Sequence, residues 1–248
     1  SLSYAPGEIY GGKYEFDINT AGSCVLVAQT ILPILLFAAK PSTVRIRGGT
    51  HVMKSPSYDY FESVFLPAIS LFGARAKSEI RRPGYYPRGG GEMFLAVEPS
   101  KLNGNSVWPK DEETHVIIRI SGLPLSVAVR EKKTFVENGV NRVRIVHDEC
   151  GMANSLTAWS GFVGACSLGE KGKRSEQVSQ EALDFLGAQR AAGSEMDSHL
   201  ADQILIYAAL ASGPTKFRTS IKTAHTETNL YMISKFMGRK FETTAAGQ

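Results

Sequence analysis

Cysteine is scarce, with three among 248 residues: Cys24, Cys150 and Cys166. No two are spaced as CxxC, the number is odd, and Cys24 and Cys166 sit in apolar surroundings. This excludes a disulfide framework and points to reduced thiols in a cytoplasmic (cytosolic) or nuclear setting. Histidine numbers five. His51, His115 and His147 show no metal-ligand spacing, so they read as structural and no protein metal ligand is assigned. Long hydrophobic runs are absent too. The most apolar stretch, Cys24 to Ala39, is broken by Gln29, Thr30 and Pro33 and is too short to span a bilayer, so no membrane role is expected. No signal peptide is visible. The sequence opens without Met, at Ser1-Leu2-Ser3, so the natural start is expected to lie upstream. Nor is there a strong excess of one charge: 28 Lys and Arg against 24 Asp and Glu leave a net charge of +4. A polyanion would therefore be held by local contacts rather than by bulk charge.

What remains is an ordinary globular composition, 43% apolar and 21% charged, of a length suited to one or two domains. Leu2 to Asp17 reads as strand material around the Gly11-Gly12 turn. Thr20-Ala21-Gly22-Ser23 opens an apolar helix with Ser23 at its N-cap, and Lys40-Pro41-Ser42 ends it. Thr43 to Arg47 (TVRIR) alternates as a half-buried strand does. Tyr58 to Phe72 has helical spacing and stops at Gly73. Strands follow at Ala74 to Arg81 and Met93 to Val97, joined through a glycine-rich turn at residues 84–91. Near the end a similar order returns: a helix at Leu200 to Ala211, a strand at Lys216 to Ile221, a helix at Thr226 to Met237 and a strand at Lys240 to Thr243. TVRIR leads to His51 as KFRTSI leads to His225, which suggests two copies of one α/β unit. Between them lie a strand at Val116 to Ile120, a helix at Val127 to Glu137, a strand at Val143 to His147, a less regular stretch at Met152 to Ser167, a helix at Ser175 to Leu186, and a small-residue linker at Ala191 to Ser194. This gives an α/β (α+β) chain of repeated βαβ-type units with sheets packed on helices. Residues 1–121 and 194–248 form a discontinuous main domain, and 122–193 form a smaller inserted α/β domain.

Three groups of residues could carry chemistry. His225 stands just before a helix, with Thr226, Thr228 and Asn229 in its first turn. Free N–H groups and the positive end of the helix dipole favour an anion there. An imidazole can attack phosphorus and later leave. From spacing alone, a histidine that merely caps the helix is the commoner reading. His199, Asp202 and Gln203 fall at i, i+3 and i+4 and so share one helix face. Asp202 could orient a ribose or a metal and His199 could stack on a base, although the polar start of an amphipathic helix has the same pattern. Gly89-Gly90-Gly91, beside Arg82 and Arg88, could approach a phosphate. A plain turn is commoner, and no Gly-Lys-Ser/Thr follows to make a P-loop. Gly169-Glu170-Lys171-Gly172 leans the same way.

Taken in order, these pieces are more specific than any one alone. Tyr85-Tyr86-Pro87-Arg88-Gly89-Gly90-Gly91 resembles the signature of the RNA 3′-terminal phosphate cyclases. So do Thr20-Ala21-Gly22-Ser23 with Gln29-Thr30 and Leu32-Pro33, and Gly48-Gly49-Thr50 with Ser55-Pro56 and Tyr58-Asp59-Tyr60. Gly122-Leu123-Pro124, Gly169 to Gly172, His199 to Gln203 and His225 to Asn229 continue the series to about Phe241. The resemblance implies repeated α/β units related in fold to enolpyruvyl transferases, with a small α/β insert. It implies conversion of an RNA 3′-phosphate to a 2′,3′-cyclic phosphate at the expense of ATP, with a divalent metal, Mg or Mn. His225 matches the histidine that becomes adenylylated. Asp202 and Gln203 match residues near the nucleotide, Gln29 and Pro56 match residues lining the adenine and ribose pocket, and His199 stands where an aromatic packs on the nucleotide. The family's usual Arg or His before the first signature glycine is here Pro83. The family's amino-terminal portion has no counterpart, so the helix from Cys24 is expected to show exposed apolar surface and this chain alone is expected not to complete cyclisation. The rivals are a non-catalytic cyclase-like protein that binds RNA in ribosome biogenesis, against which the HTETN context of His225 argues, an enolpyruvyl transferase, and an inactive nucleotide-binding fragment.

Overall fold

The structure is a computed structural model that describes residues 3, 5 and 7–244. Of the strand material expected at the start, Lys13–Asp17 forms β1, while Leu2, Tyr4 and Pro6 lie outside the described residues. Helix α1 (Cys24–Leu35) follows, and the Ser23 side chain accepts the N–H of Leu26 as an N-cap must. Strand β2 (Ser42–Gly48) alternates as its sequence does: Ser42, Val44, Ile46 and Gly48 are buried, while Thr43 is exposed. The helical stretch after it is continuous but not uniform. It runs as α2 (Tyr58–Tyr60), a π-type turn (Phe61–Phe65) and α3 (Leu66–Ser70). Pro67 has no N–H to offer the Ser63 carbonyl, and the Leu66 N–H reaches back to the Phe61 carbonyl, widening the turn.

Strands β3 (Arg75–Arg82) and β4 (Gly91–Glu98) complete a four-stranded sheet in the order β1-β2-β4-β3. Its β1–β2 pair is parallel, bridged by α1, and its other pairs are antiparallel. The second sheet uses the same parts. Strands β5 (His115–Ser121) and β6 (Arg142–Asp148) are parallel and joined by α4 (Leu125–Glu137). Strands β7 (Ala153–Ser160) and β8 (Val163–Leu168) add an antiparallel hairpin, giving the order β6-β5-β7-β8. The fold is thus mixed α/β, as the sequence pattern predicts. The less regular stretch at Met152 to Ser167 is in fact that hairpin. Strand β5, which precedes Gly122, pairs within the second sheet.

Each sheet has its own core. Under the first lie Val25, Ala28 and Leu32 of α1, Phe61, Phe65 and Phe72, and, from far along the chain, Leu200, Ile204 and Tyr207. Leu200 belongs to α6 (Ser198–Gln203), Tyr207 to α7 (Leu205–Leu210), and Ile204 lies between the two helices. The second core packs α4 and α5 (Ser175–Ala191) on β5, β7 and β8 through Phe135, Leu156, Val178 and Leu186. Truncating a fully buried side chain such as Leu32 would cost about 2–5 kcal/mol. The outer face of α1 and the adjoining surface leave Leu26, Ile34, Phe37 and Phe16 exposed.

A buried ion network joins the two halves. Arg119 of β5 donates Nε to Asp59 Oδ2 at 2.7 Å and Nη2 to Oδ1 at 2.9 Å, while Nη1 reaches Asp148 at 3.2 Å. His51 Nε2 lies 3.1 Å from Asp59, and Tyr85 donates its hydroxyl to Asp148 at 2.6 Å. Burial alone would raise the Asp59 carboxyl, but the His51 and Arg119 hydrogen bonds hold it well below the usual carboxylate range.

Two expected strands do not form. Residues 216–221 and 240–243 make no ladder among the described residues. The first segment sends its backbone bonds to loops instead: Lys216 N–H to Asn105, the Arg218 carbonyl to the N–H of Glu195, and the Lys216 carbonyl to the Trp108 indole. The helices expected of a second α/β copy therefore form, and among the described residues its strands do not.

Candidate functional site

Helix α8 spans Ala224–Met237, so it begins earlier than its apolar pattern suggests and His225 lies inside it, as its second residue. The cap is Thr223, whose hydroxyl accepts the Thr226 N–H at 3.0 Å. Helix geometry leaves the N–H groups of Ala224 and His225 without intrahelical acceptors, at the positive end of the dipole. His225 is exposed there. The correction of register therefore keeps the feature that matters, an imidazole beside free backbone donors.

Helix α6 faces this end of α8. Asp202 accepts the Thr223 hydroxyl at 3.5 Å, the edge of hydrogen-bonding range, and its carbonyl accepts the Asn229 side-chain amide at 3.2 Å. Burial raises the Asp202 carboxyl above its ordinary value and the Asp197 charge adds to this, while His225 and His199 pull it the other way. Asp202 is thus close enough to both histidines to feel their charge. Gln203 of the same helix accepts from Gln29 Nε2 of α1 at 2.7 Å, a contact between residues 174 apart in sequence. Gln29 of α1 thereby meets Gln203 of α6, and Asp202 of α6 meets the cap of α8 next to His225.

Two predicted residues stand differently. Pro56 lies at the start of α1, where the Ser55 hydroxyl donates to the Pro56 carbonyl at 3.0 Å and Ser55 Oγ meets Ser23 Oγ. Gln29 is six residues beyond Ser23, about 9 Å along the helix. His199 is exposed but not alone: its ring stacks on Phe185 of α5, with centroids 5.7 Å and planes 7° apart.

Asp197 was not singled out from the sequence, although an Asp just before Ser198-His199-Leu200 is an N-cap signal. Its buried carboxylate accepts the backbone N–H of both His199 and Leu200 at 2.9 Å, the N–H of Gly164 at 2.9 Å and the Tyr60 hydroxyl at 2.8 Å. The helix that carries Asp202 and Gln203 is therefore fixed at its first turn by both cores. No sequence signal marks Phe185.

The glycine-rich signature behaves as a turn. Gly89 has φ +65° and packs where a Cβ would lie 2.6 Å from the Thr20 carbonyl oxygen, so only glycine fits between this turn and the TAGS segment. Arg82 donates to the Gly90 carbonyl at 2.6 Å and thereby braces the turn. Residues 169–172 form a plain turn as well. Among the described residues no group of three or more His, Cys, Asp or Glu side chains could hold a metal ion, and no helix is long and apolar enough to cross a membrane.

The chain matches the RNA 3′-terminal phosphate cyclase family over residues 1–243. It is 39% identical to an RNA 3′-terminal phosphate cyclase of Archaeoglobus fulgidus over 249 residues, covering 97% of this chain and 76% of that protein. It is 35% identical to the protein of that name from Pyrobaculum aerophilum over 260 residues, with 98% and 74% covered. The Methanosarcina mazei protein of the same name is 35% identical over 268 residues, with 97% and 76% covered.

Proposed function

The chain belongs to the RNA 3′-terminal phosphate cyclase family, and from that premise we propose that it converts an RNA 3′-phosphate to a 2′,3′-cyclic phosphodiester at the expense of ATP, through AMP carried on His225. The observation that carries this reading is that Asp202, beside the Gln29–Gln203 pair, meets the Thr223 cap of α8, where His225 is exposed beside free N–H groups.

In the first step an imidazole nitrogen of His225 attacks the α-phosphorus of ATP. An N–P bond forms and the P–O bond to the β-phosphate breaks, releasing pyrophosphate. The α8 N-terminus offers its amide donors to the charge that develops on the α-phosphate oxygens. Asp202, facing His225, holds the imidazolium that forms and fits the charge of a divalent ion, Mg or Mn, brought with the triphosphate. Such an ion neutralises the departing pyrophosphate. The RNA 3′-phosphate then takes AMP from His225, breaking the N–P bond and leaving an activated diphosphate. Finally the neighbouring 2′-hydroxyl attacks the RNA-side phosphorus, AMP departs and the hydroxyl proton is lost. That hydroxyl is already held beside its target, so the last step asks least of the protein. It also makes RNA ends, not DNA ends, the substrate. Gln29 and Gln203, paired amide to amide, are placed to read the nucleoside, and Pro56 borders the same helix. We assign residues 122–193 to an inserted domain, to whose sheet the preceding strand β5 also belongs, and the whole reaction to a reducing, cytoplasmic setting, to which the free thiols of Cys24, Cys150 and Cys166 are suited.

The test is covalent labelling with α-phosphate-labelled ATP and Mg or Mn. Wild type should retain acid-labile, base-stable label, and His225→Ala and His225→Asn should retain none. Label that persists in both variants at the wild-type level would overturn the assignment.

A further inference from the structure

Phe185 lies on α5, whose inner face belongs to the second core, yet its ring is stacked on His199 of α6, in the other half of the molecule. The two rings are nearly parallel at 7°, with centroids 5.7 Å apart, the geometry of an offset stack. A third ring cannot enter between them at that separation. One face of the imidazole is therefore turned to Phe185, and His199 as a residue is exposed to solvent. The backbone beneath it is fixed as well, because Asp197 ties the His199 N–H and the Gly164 N–H of β8 to one buried carboxylate, each at 2.9 Å. The second sheet unit thus grips the start of α6 twice, by backbone through Asp197 and by an aromatic ring through His199.

We propose that Phe185 is a positioning residue for nucleotide binding: it backs the His199 imidazole so that the opposite face is held ready to stack on the base. This rests on the reading of α6 as the nucleotide-handling helix. An unsupported imidazole on an exposed helix start would spread over several rotamers, and a ligand would have to order it on binding. The contact with Phe185 makes that ordering part of the folded state, which is the usual gain from preorganisation. It also gives the second sheet unit a part in the site. Every base has a π-face, so the contribution should be indifferent to which base is bound and should need a base.

The experiment compares wild type with Phe185→Leu, which keeps apolar bulk in the second core but removes the ring, and with Phe185→Tyr, which restores it. Nucleotide dissociation constants are measured by calorimetry for ATP, for GTP and for ribose 5′-triphosphate, which has no base. Phe185→Leu should weaken ATP and GTP alike, by about threefold to tenfold. It should leave ribose 5′-triphosphate unchanged, and Phe185→Tyr should bind as wild type does. Adenylylation at saturating ATP should keep its wild-type rate in both variants. An ATP constant within twofold of wild type in Phe185→Leu overturns the proposal. Equal weakening of the base-free triphosphate overturns it too, since the residue would then act only through the fold. A wild-type protein that binds none of the three overturns the nucleotide reading itself, and this inference with it.

Discussion

Glu131 of α4 is fully buried in the second core, and among the described residues its side-chain partner is Asn154, whose amide donates to Oε2 at 3.0 Å. Its other oxygen, Oε1, meets no donor among the described residues. Burial raises its pKa from the ordinary 4.5 to about 7, opposed by the Asn154 hydrogen bond and the Arg130 charge and aided by Glu176. A raised carboxyl is held in its protonated form by folding. Its stabilising contribution is therefore complete below the unfolded value near 4.5 and is lost as pH rises through about 7. Between 4.5 and about 7, at 1.36 kcal/mol per pH unit, the full loss is about 3 kcal/mol, of which about 2 kcal/mol falls between pH 5 and pH 8. Glu131→Gln keeps the acceptor for Asn154 and cannot ionise. Urea unfolding of both proteins at half-unit steps from pH 5 to pH 8 isolates the term, since every other titrating group is common to the pair. The variant should gain on wild type by about 2 kcal/mol across that range, with most of the change below pH 7. A difference that stays constant with pH, or one that moves in favour of wild type as pH rises, would refute the argument.

Asp202→Ala should cut adenylylation by about a hundredfold, because it removes the carboxylate facing His225. It should shift stability by no more than about 1 kcal/mol. A quantified label with a parallel melt separates the two effects, and normal labelling would dismiss the role. Thr223→Ala removes the cap of α8 and should cost about 1 kcal/mol, with faster hydrogen exchange at Thr226, whose N–H loses its acceptor. Unchanged exchange there would mean that the cap is dispensable. Arg119→Ala leaves Asp59 and Asp148 buried without their guanidinium and should cost about 3–5 kcal/mol by denaturant unfolding. A loss under 1 kcal/mol would show that the network does not hold the two halves together.

The sequence was most legible where structure is set by neighbours along the chain. The Ser23 cap and the alternation of β2 are local, and the structure has both. The His199, Asp202 and Gln203 spacing is local too, and it placed three side chains on one short helix. Sequence reading failed where local pattern is silent. Strand β7 is buried along most of its length, Asn154 to Ala158 and again Ser160, because helices cover one face and the first half of the molecule covers the other. A strand covered on both faces has no alternation to detect. The start of α8 was misplaced because Ala224 and His225 belong to no apolar stripe and only the Thr223 cap marks the boundary. Gln29 finds Gln203, and Phe185 finds His199, through the fold, and no spacing foretells either contact.

The segment 216–221 shows what pattern alone cannot decide. Lys216-Phe217-Arg218-Thr219 alternates in exposure as a half-buried strand would, with Phe217 packed against both the first core and the α7–α8 contact. Its side chains therefore behave as the sequence predicts. Its backbone does not, because a strand is completed by a second chain segment at ladder distance, and the partners here are single loop residues: Asn105, Glu195 and Trp108. Two hydroxyls of the segment, Thr219 Oγ1 and Ser220 Oγ, are buried without a hydrogen-bond partner among the described residues, each a desolvation of about 1–3 kcal/mol. Both lie within six residues of His225, on the stretch that leads into the α8 cap. Alternation thus reports which face of a segment is buried, whereas the bonding of its backbone depends on what lies beside it. In this chain the difference falls next to the histidine proposed to carry the chemistry. The position of that histidine is then fixed from the helix side, by Thr223, Asp202 and Asn229, rather than by a sheet.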